Sequence, residues 1–263
     1  MQGRNLQSFT AGGAIGTLGG LMGLGGAEFR LPVLKGLFRF ATLEAILLNL
    51  ATSLVLVTFA LLFRSQAVTP AELWGHAGLV LNLLAGSLAG SWIGAHIASR
   101  IHARHLDLAV MVLLIGLSIV LMAEPFLHLS GGGPLFDDRL LLAILGVAAG
   151  LGIGLVSSLL GVAGGELLIP TFMLLYGVDI KLAGSLALAV SLPTLIVGLL
   201  RYRRSDDFPV IRRERRFLAA MATGSILGAA IGGLMLGLVP SKWLTLGLGI
   251  ILLISAIKLF RGH

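Results

Sequence analysis

GLMGLGGAEFRLPVL (20–34) and SLLGVAGGELLIPTF (158–172) are one pattern written twice, at a fixed offset of 138 residues. Each copy runs through glycines into an acidic residue, Glu28 or Glu166, and reaches a proline four residues on, Pro32 or Pro170. Gly-Gly interrupts a helix, and the residues after it restart one, so each copy predicts two helical pieces joined at a break, 8–24 and 27–40 in the first. The register extends outward without a gap. Gly12, Gly16, Gly23 and Gly26 fall on Gly150, Gly154, Gly161 and Gly164; Ala45 and Ser53 fall on Ala183 and Ser191. Gly86, Ser87, Gly90 and Gly94 fall on Gly224, Ser225, Gly228 and Gly232. Matching leucines would carry little weight in this chain, but matching Gly, Glu, Pro and Ser in register marks an internal duplication.

Apolar stretches long enough to cross a bilayer, about 17–25 residues, lie at 43–63, 77–99, 106–123, 140–163, 182–200, 217–238 and 241–260, with another beginning near residue 6. Of the 263 residues 57% are hydrophobic and only 12% charged, against roughly a quarter charged in soluble domains. The expected fold is therefore all-α: a polytopic membrane protein with a first transmembrane repeat over 1–123, an extramembrane linker over 124–139, and a second repeat over 140–263. Glycines at four-residue spacing, among them Gly90 and Gly228, are expected where helices cross closely. The first apolar stretch follows Arg4 as a secretory signal would, but its pattern returns in mid-chain, where nothing is cleaved, so it is read as a retained helix.

A net charge of +7 does not point to nucleic acid, because the basic residues sit between apolar spans with no aromatic interleaving. They report topology instead, since Lys and Arg gather on the cytoplasmic side. If 8–41 enters and returns as a hairpin, each repeat makes three full crossings and the second copy is inverted. One face then carries Arg4, Arg39, Arg100, Arg104, the seven Arg between 201 and 216, Lys258 and Arg261, while Arg64, Arg139, Lys181 and Lys242 lie opposite. Arg30 and Lys35 stay within the hairpin. A single crossing by 8–41 gives a weaker bias. The inverted reading puts both termini in the cytoplasm of a plasma-membrane protein and the linker, with Glu124, Asp137 and Asp138, outside.

Repeats around a shared midplane site are the common plan of secondary transporters. Non-helical backbone at that depth must be buried in protein or line a watery cavity. The start of the helix after each break offers free N–H groups and positive dipole, which bind anions without a basic side chain. The substrate-binding residues this implies are Gly25, Gly26, Ala27, Gly164 and Gly165. Polar groups in apolar spans add Asn49, Thr52, Ser53, Ser185 and Ser191, with Thr194 nearby; each of these can equally satisfy a helix carbonyl. Pro193 is expected to kink its helix beside Ser191. Glu28 and Glu166 are ionisable groups at membrane depth and hence candidates for proton coupling, with first-turn capping of the restarted helix as the alternative. Arg30 is expected to hold Glu28 ionised, which leaves Glu166, flanked by Leu167 and Leu168, as the proton carrier.

Other features carry less. The run RYRRSDDFPVIRRERR (201–216) reads as a loop held against anionic lipid. His102 and His105 lack acidic or Cys company, so no metal and no cofactor are expected, and with no Cys there are no disulfides. Trp74 and Trp243 read as interfacial anchors. No HExxH and no GxSxG at a strand-to-helix turn is present, which argues against an enzyme. An anion channel, a membrane enzyme of another type and a structural scaffold stay open beside a transporter.

With its duplicated glycine motif the chain resembles the sulfite exporter TauE/SafE family, whose members carry GxGGGxxxxPxL near the start of each half. The first copy, GLGGAEFRLPVL, has Ala27 for the third Gly; the second, GVAGGELLIPTF, has Ala163 for the first internal Gly and Phe172 for Leu. The resemblance spans nearly the whole chain. It implies export of sulfite, sulfoacetate or related organosulfonates, so the partners expected are a small anionic substrate and membrane lipid, with a homodimer open and no nucleic acid.

Overall fold

The computed structural model describes residues 2–97, 103–127, 133–160, 164–204 and 207–261. Its first half runs α1 (Gln2–Met22), α2 (Ala27–Pro32) continuing through a π-helical turn at Val33–Leu37, α3 (Thr42–Arg64), the short α4 (Pro70–Gly75), α5 (Ala77–Ile97) and α6 (Ala103–Leu127). The second runs α7 (Arg139–Leu160), α8 (Gly165–Tyr176), α9 (Ile180–Arg201), a 3-10 turn at Tyr202–Arg204, α10 (Val210–Arg213), α11 (Arg215–Met235) and α12 (Ser241–Arg261). Among the described residues there is no strand. Among the described residues four helices, within α3, α7, α9 and α11, are long and apolar enough to cross a membrane; α5, α6, α8 and α12 contribute shorter apolar segments.

The halves interlock. α1 packs along α11 and α5 along α7, while α6 pairs with α12 and α3 with α9. Glycine makes the first two pairings possible. A Cβ placed on Gly12, Gly16 or Gly20 would fall on the backbone of Met221, Ser225 or Ala229, and one on Gly224, Gly228 or Gly232 on the backbone of Phe9, Gly13 or Thr17. Gly86 and Gly90 meet the backbone at Val147 and Leu151 in the same way, and Gly150 and Gly154 meet Leu83 and Ser87. Such small-residue seams let helices approach to backbone contact where no hydrophobic drive separates helix from lipid.

α3 and α9 form the inner pair, with half of each apolar window buried, against 22% for α7. Leu50, Leu56, Val57, Leu188 and Leu195 close the seam between them. The outer helices turn large apolar side chains outward, among them Leu113, Ile119, Ile144, Leu227, Ile231 and Ile254. In water that surface would aggregate; in lipid it costs nothing. Trp74 and Trp243 are largely exposed.

Side-chain contacts show which chain segments share an end of the bundle. At one end Arg4 lies 3.4 Å from Glu214 and stacks over the rings of Phe40 and Phe217, while Arg213 pairs with Glu44. Residues 4 and 40 therefore lie together, so the segment between them goes in and comes back. At the opposite end Arg64 reaches the carbonyls of Gly20, Leu21 and Lys181. The Leu135 N–H bonds the Leu175 carbonyl, and Tyr176 bonds Asn82. The 201–216 run is also more than a lipid-facing loop: Val210 is buried, and Phe208 and Ile211 pack with Phe40 and Phe217.

α9 passes through Pro193 as one element. His102 lies outside the described residues, as do Arg100, Gly161 and Ala163. The side chain of His105 is likewise not described.

Gly152 and Gly154 lie two residues apart on α7, the first facing open space and the second the Ser87 carbonyl. Gly154→Ala is expected to lower stability by about 1–3 kcal/mol through overpacking, and Gly152→Ala to leave it unchanged or raise it. Thermal unfolding of the two variants in detergent checks this; equal melting temperatures would contradict the seam.

Candidate functional site

Both restarted helices begin at a left-handed glycine, Gly26 with φ 66° and Gly164 with φ 72°. A side chain at either position would be strained, because only glycine reaches positive φ cheaply. Neither helix start is capped by a side chain. The two breaks lie side by side: a Cβ built on Gly165 would sit 3.5 Å from the Gly25 nitrogen and 3.7 Å from the Leu24 Cα. The carboxyls of Glu28 and Glu166 are close enough to act on each other electrostatically. Gly25, Gly165 and the two carboxyls thus share one interior place.

What surrounds each break differs. At the first, Arg30 is fully buried on α2. Its Nη1 donates to Ser53 Oγ at 2.7 Å and Asn49 Oδ1 at 3.3 Å, both on α3. Asn49 Nδ2 in turn donates to the Ala27 carbonyl at 3.3 Å, tying the break to the inner helix. The Nε and Nη2 groups of Arg30 make no hydrogen bond, and Nη2 lies alongside Gly26, 3.4 Å from where a Cβ would be. Both carboxyl oxygens of Glu28 are buried and equally without a partner; the group lies beside its own backbone N–H without a well-formed bond to it. That position fits first-turn capping as well as proton carriage.

At the second break the position equivalent to Arg30 is Leu168 and that equivalent to Asn49 is Ala187, both buried. Glu166 accepts a 2.9 Å hydrogen bond from Ser255 of α12. Ser157, a residue the repeat does not point to because Gly19 is its counterpart, places a buried hydroxyl without a partner against Gly164.

The remaining expected residues do other work in this structure. Thr52 donates to the Leu48 carbonyl in its own helix, and Thr194 to those of Val190 and Ser191. Ser191 is buried on α9. Ser185 accepts from Arg64 Nε at 3.0 Å and donates to the Lys181 carbonyl. Arg64 is the largest departure from the charge reading. Expected as a loop charge, it is buried, because the carbonyls of Gly20 and Leu21 at the end of α1 need donors that lipid cannot supply. Lys35 stays exposed. Gly26 and Gly164 are also closely packed, against Ile15 and Ser157, so a valine there disturbs fold and site together.

Among the described residues no cluster of His, Asp or Glu could hold a metal. Two inner helices, two helix breaks and a buried polar cluster in an apolar bundle define a helical membrane protein. The Sulfite exporter TauE/SafE family matches residues 2–121 and 143–263, and the chain belongs to that family of membrane transporters. It is also similar to the Bacillus subtilis (strain 168) protein named "Probable membrane transporter protein YunE", 24% identical over 266 residues covering 93% of each chain. No solved structure matches.

Arg64→Leu removes the donors to the two carbonyls that end α1 and a bond to the start of α9, and is expected to cost on the order of 3 kcal/mol or more. A melting temperature in detergent equal to that of the parent would contradict this capping role.

Proposed function

We propose that the protein moves small sulfur oxyanions, sulfite or organosulfonates, outward across the plasma membrane, holding them where the two glycine breaks meet. The observation that carries this is the juxtaposition of the breaks beside unsatisfied buried donors, an arrangement that costs stability unless a ligand uses it. The family match and the matched relative's name support transport as the activity. The break residues Gly25, Gly26, Ala27, Gly164 and Gly165 line the anion's path, and Asn49 and Ser53 act through Arg30.

The two halves are inverted copies in this reading. Support comes from the ends the contacts define: α1 starts at the Arg4 end, whereas α7 starts at the end where Arg64 and Lys181 meet. Rocking one half against the other would then expose the same midplane site to either side. The termini and the 201–216 run are cytoplasmic and the 124–139 linker is external. Since the chain has no Cys, single-cysteine labelling from each side tests this; a cysteine placed at Gly133 that reacts only from the cytoplasmic side would reverse the topology.

Glu28 and Glu166 carry the proton that moves with the anion. The two carboxyls are near neighbours, so adding a proton to the pair relieves repulsion as an anion arrives. Flux of labelled sulfite and of a sulfonate panel into proteoliposomes, with and without an imposed pH gradient, is the deciding assay. Parent flux should rise with the gradient and Glu166→Gln should lose that response. Gradient-independent parent flux at channel-like rates would favour a passive pore instead.

A further inference from the structure

Among the described residues two arginines are fully buried, and they are not alike. Arg64 spends Nε, Nη1 and Nη2 on Ser185 and three carbonyls. Arg30 spends only Nη1, on Asn49 and Ser53, and leaves Nε and Nη2 without partners. Those two nitrogens share one edge of the planar guanidinium, so their N–H bonds run parallel and match two oxygens of one anion. The Nη2 end of that edge lies against Gly26, where the side chains of Ile15 and Leu56 also close in, so an anion reaches it only as those side chains part. Glu28 is near enough to attract the guanidinium's charge but makes no hydrogen bond to that edge, so its two N–H groups stay unsatisfied. A buried guanidinium fixed on one side and bare on the other is costly to fold unless something docks on the bare side.

We infer that the Nε–Nη2 edge of Arg30 is the seat of the transported anion, gripping two oxygens of a sulfite or sulfonate group, with Asn49 and Ser53 as positioning residues that hold the guanidinium plane. The inference rests on the anion-transport reading and sharpens it in two ways. The seat is single and belongs to the first half, because the duplicate carries Leu168 and Ala187 at the matching positions. It also selects for shape: an anion offering two oxygens uses both N–H groups, whereas a halide of equal charge cannot span them.

The test is binding of methanesulfonate, sulfite and chloride to the purified protein in detergent, by calorimetry. Parent, Arg30→Lys, Ser53→Ala and Leu168→Arg are compared, with thermal unfolding as the check of fold. The parent should bind one sulfonate per chain and prefer it to chloride. Arg30→Lys keeps the charge but loses the parallel pair, and should weaken sulfonate binding about tenfold to a hundredfold while narrowing the preference over chloride. Ser53→Ala should weaken binding less and leave the preference in the same direction. Leu168→Arg should not restore affinity to Arg30→Lys. If Arg30→Lys melts well below the parent, Ser53→Ala, which keeps the guanidinium, decides: unchanged sulfonate affinity there overturns the seat. Parent-like affinity and preference in folded Arg30→Lys likewise overturns it and leaves anion transport standing, whereas a parent that binds none of the three anions overturns the transport reading itself.

Discussion

A chain that stops being helical in the middle of a hydrocarbon slab must find partners for the amides it uncovers, and most of this structure follows from that requirement. The backbone at Leu24–Gly25 is set against Gly165, so each break helps to screen the other from lipid. Bringing them together requires the inner helices α3 and α9 to meet, and the glycine seams of α1 with α11 and α5 with α7 draw the outer helices tight around them. Arg64 closes the same account at the end of α1, giving donors to carbonyls left over where that helix stops.

Duplication places two equivalent breaks at the centre, and divergence makes them unequal. Glu28 and Glu166 are retained in both copies, as are Pro32 and Pro170. Polarity is concentrated in the first copy, where Arg30, Asn49 and Ser53 form a connected cluster reaching back to Ala27. In the second copy Leu168, Ile169 and Phe172 join the main apolar core, which runs on through α9 and α12. One half supplies a charged wall and the other a greasy one. Under the transport function proposed above, that division suits a site that attracts an anion yet releases it, since two opposed guanidiniums would hold it too firmly.

Much of this was legible in the sequence because lipid imposes coarse rules. Apolar length gives the helices within a few residues, and Gly-Gly followed by Glu and Pro marks the breaks. Glycine spacing foretells close crossings, though not that each seam joins opposite halves, since spacing says nothing of the partner. The site is less legible. Asn49 and Ser53 stand out as polar residues in an apolar span, but their partner Arg30 lies 19 and 23 residues away, and from the sequence it reads as the partner of Glu28, two residues off. Arg64 and Ser185 are bound across 121 residues, a separation at which no local pattern operates. Ser157 is hidden for a different reason: its counterpart in the repeat is Gly19, and a search by symmetry passes over it.

The central claim is that an anion sits inside the bundle at the meeting of the breaks. Selenite, the heavier congener of sulfite, scatters X-rays anomalously, so its position can be read directly from crystals grown in its presence. The account predicts one dominant anomalous peak per chain, within hydrogen-bonding distance of Arg30 Nε and Nη2 and beside Gly26. A protein whose peaks lie only on the arginines of 201–216, with nothing between the breaks, would contradict it.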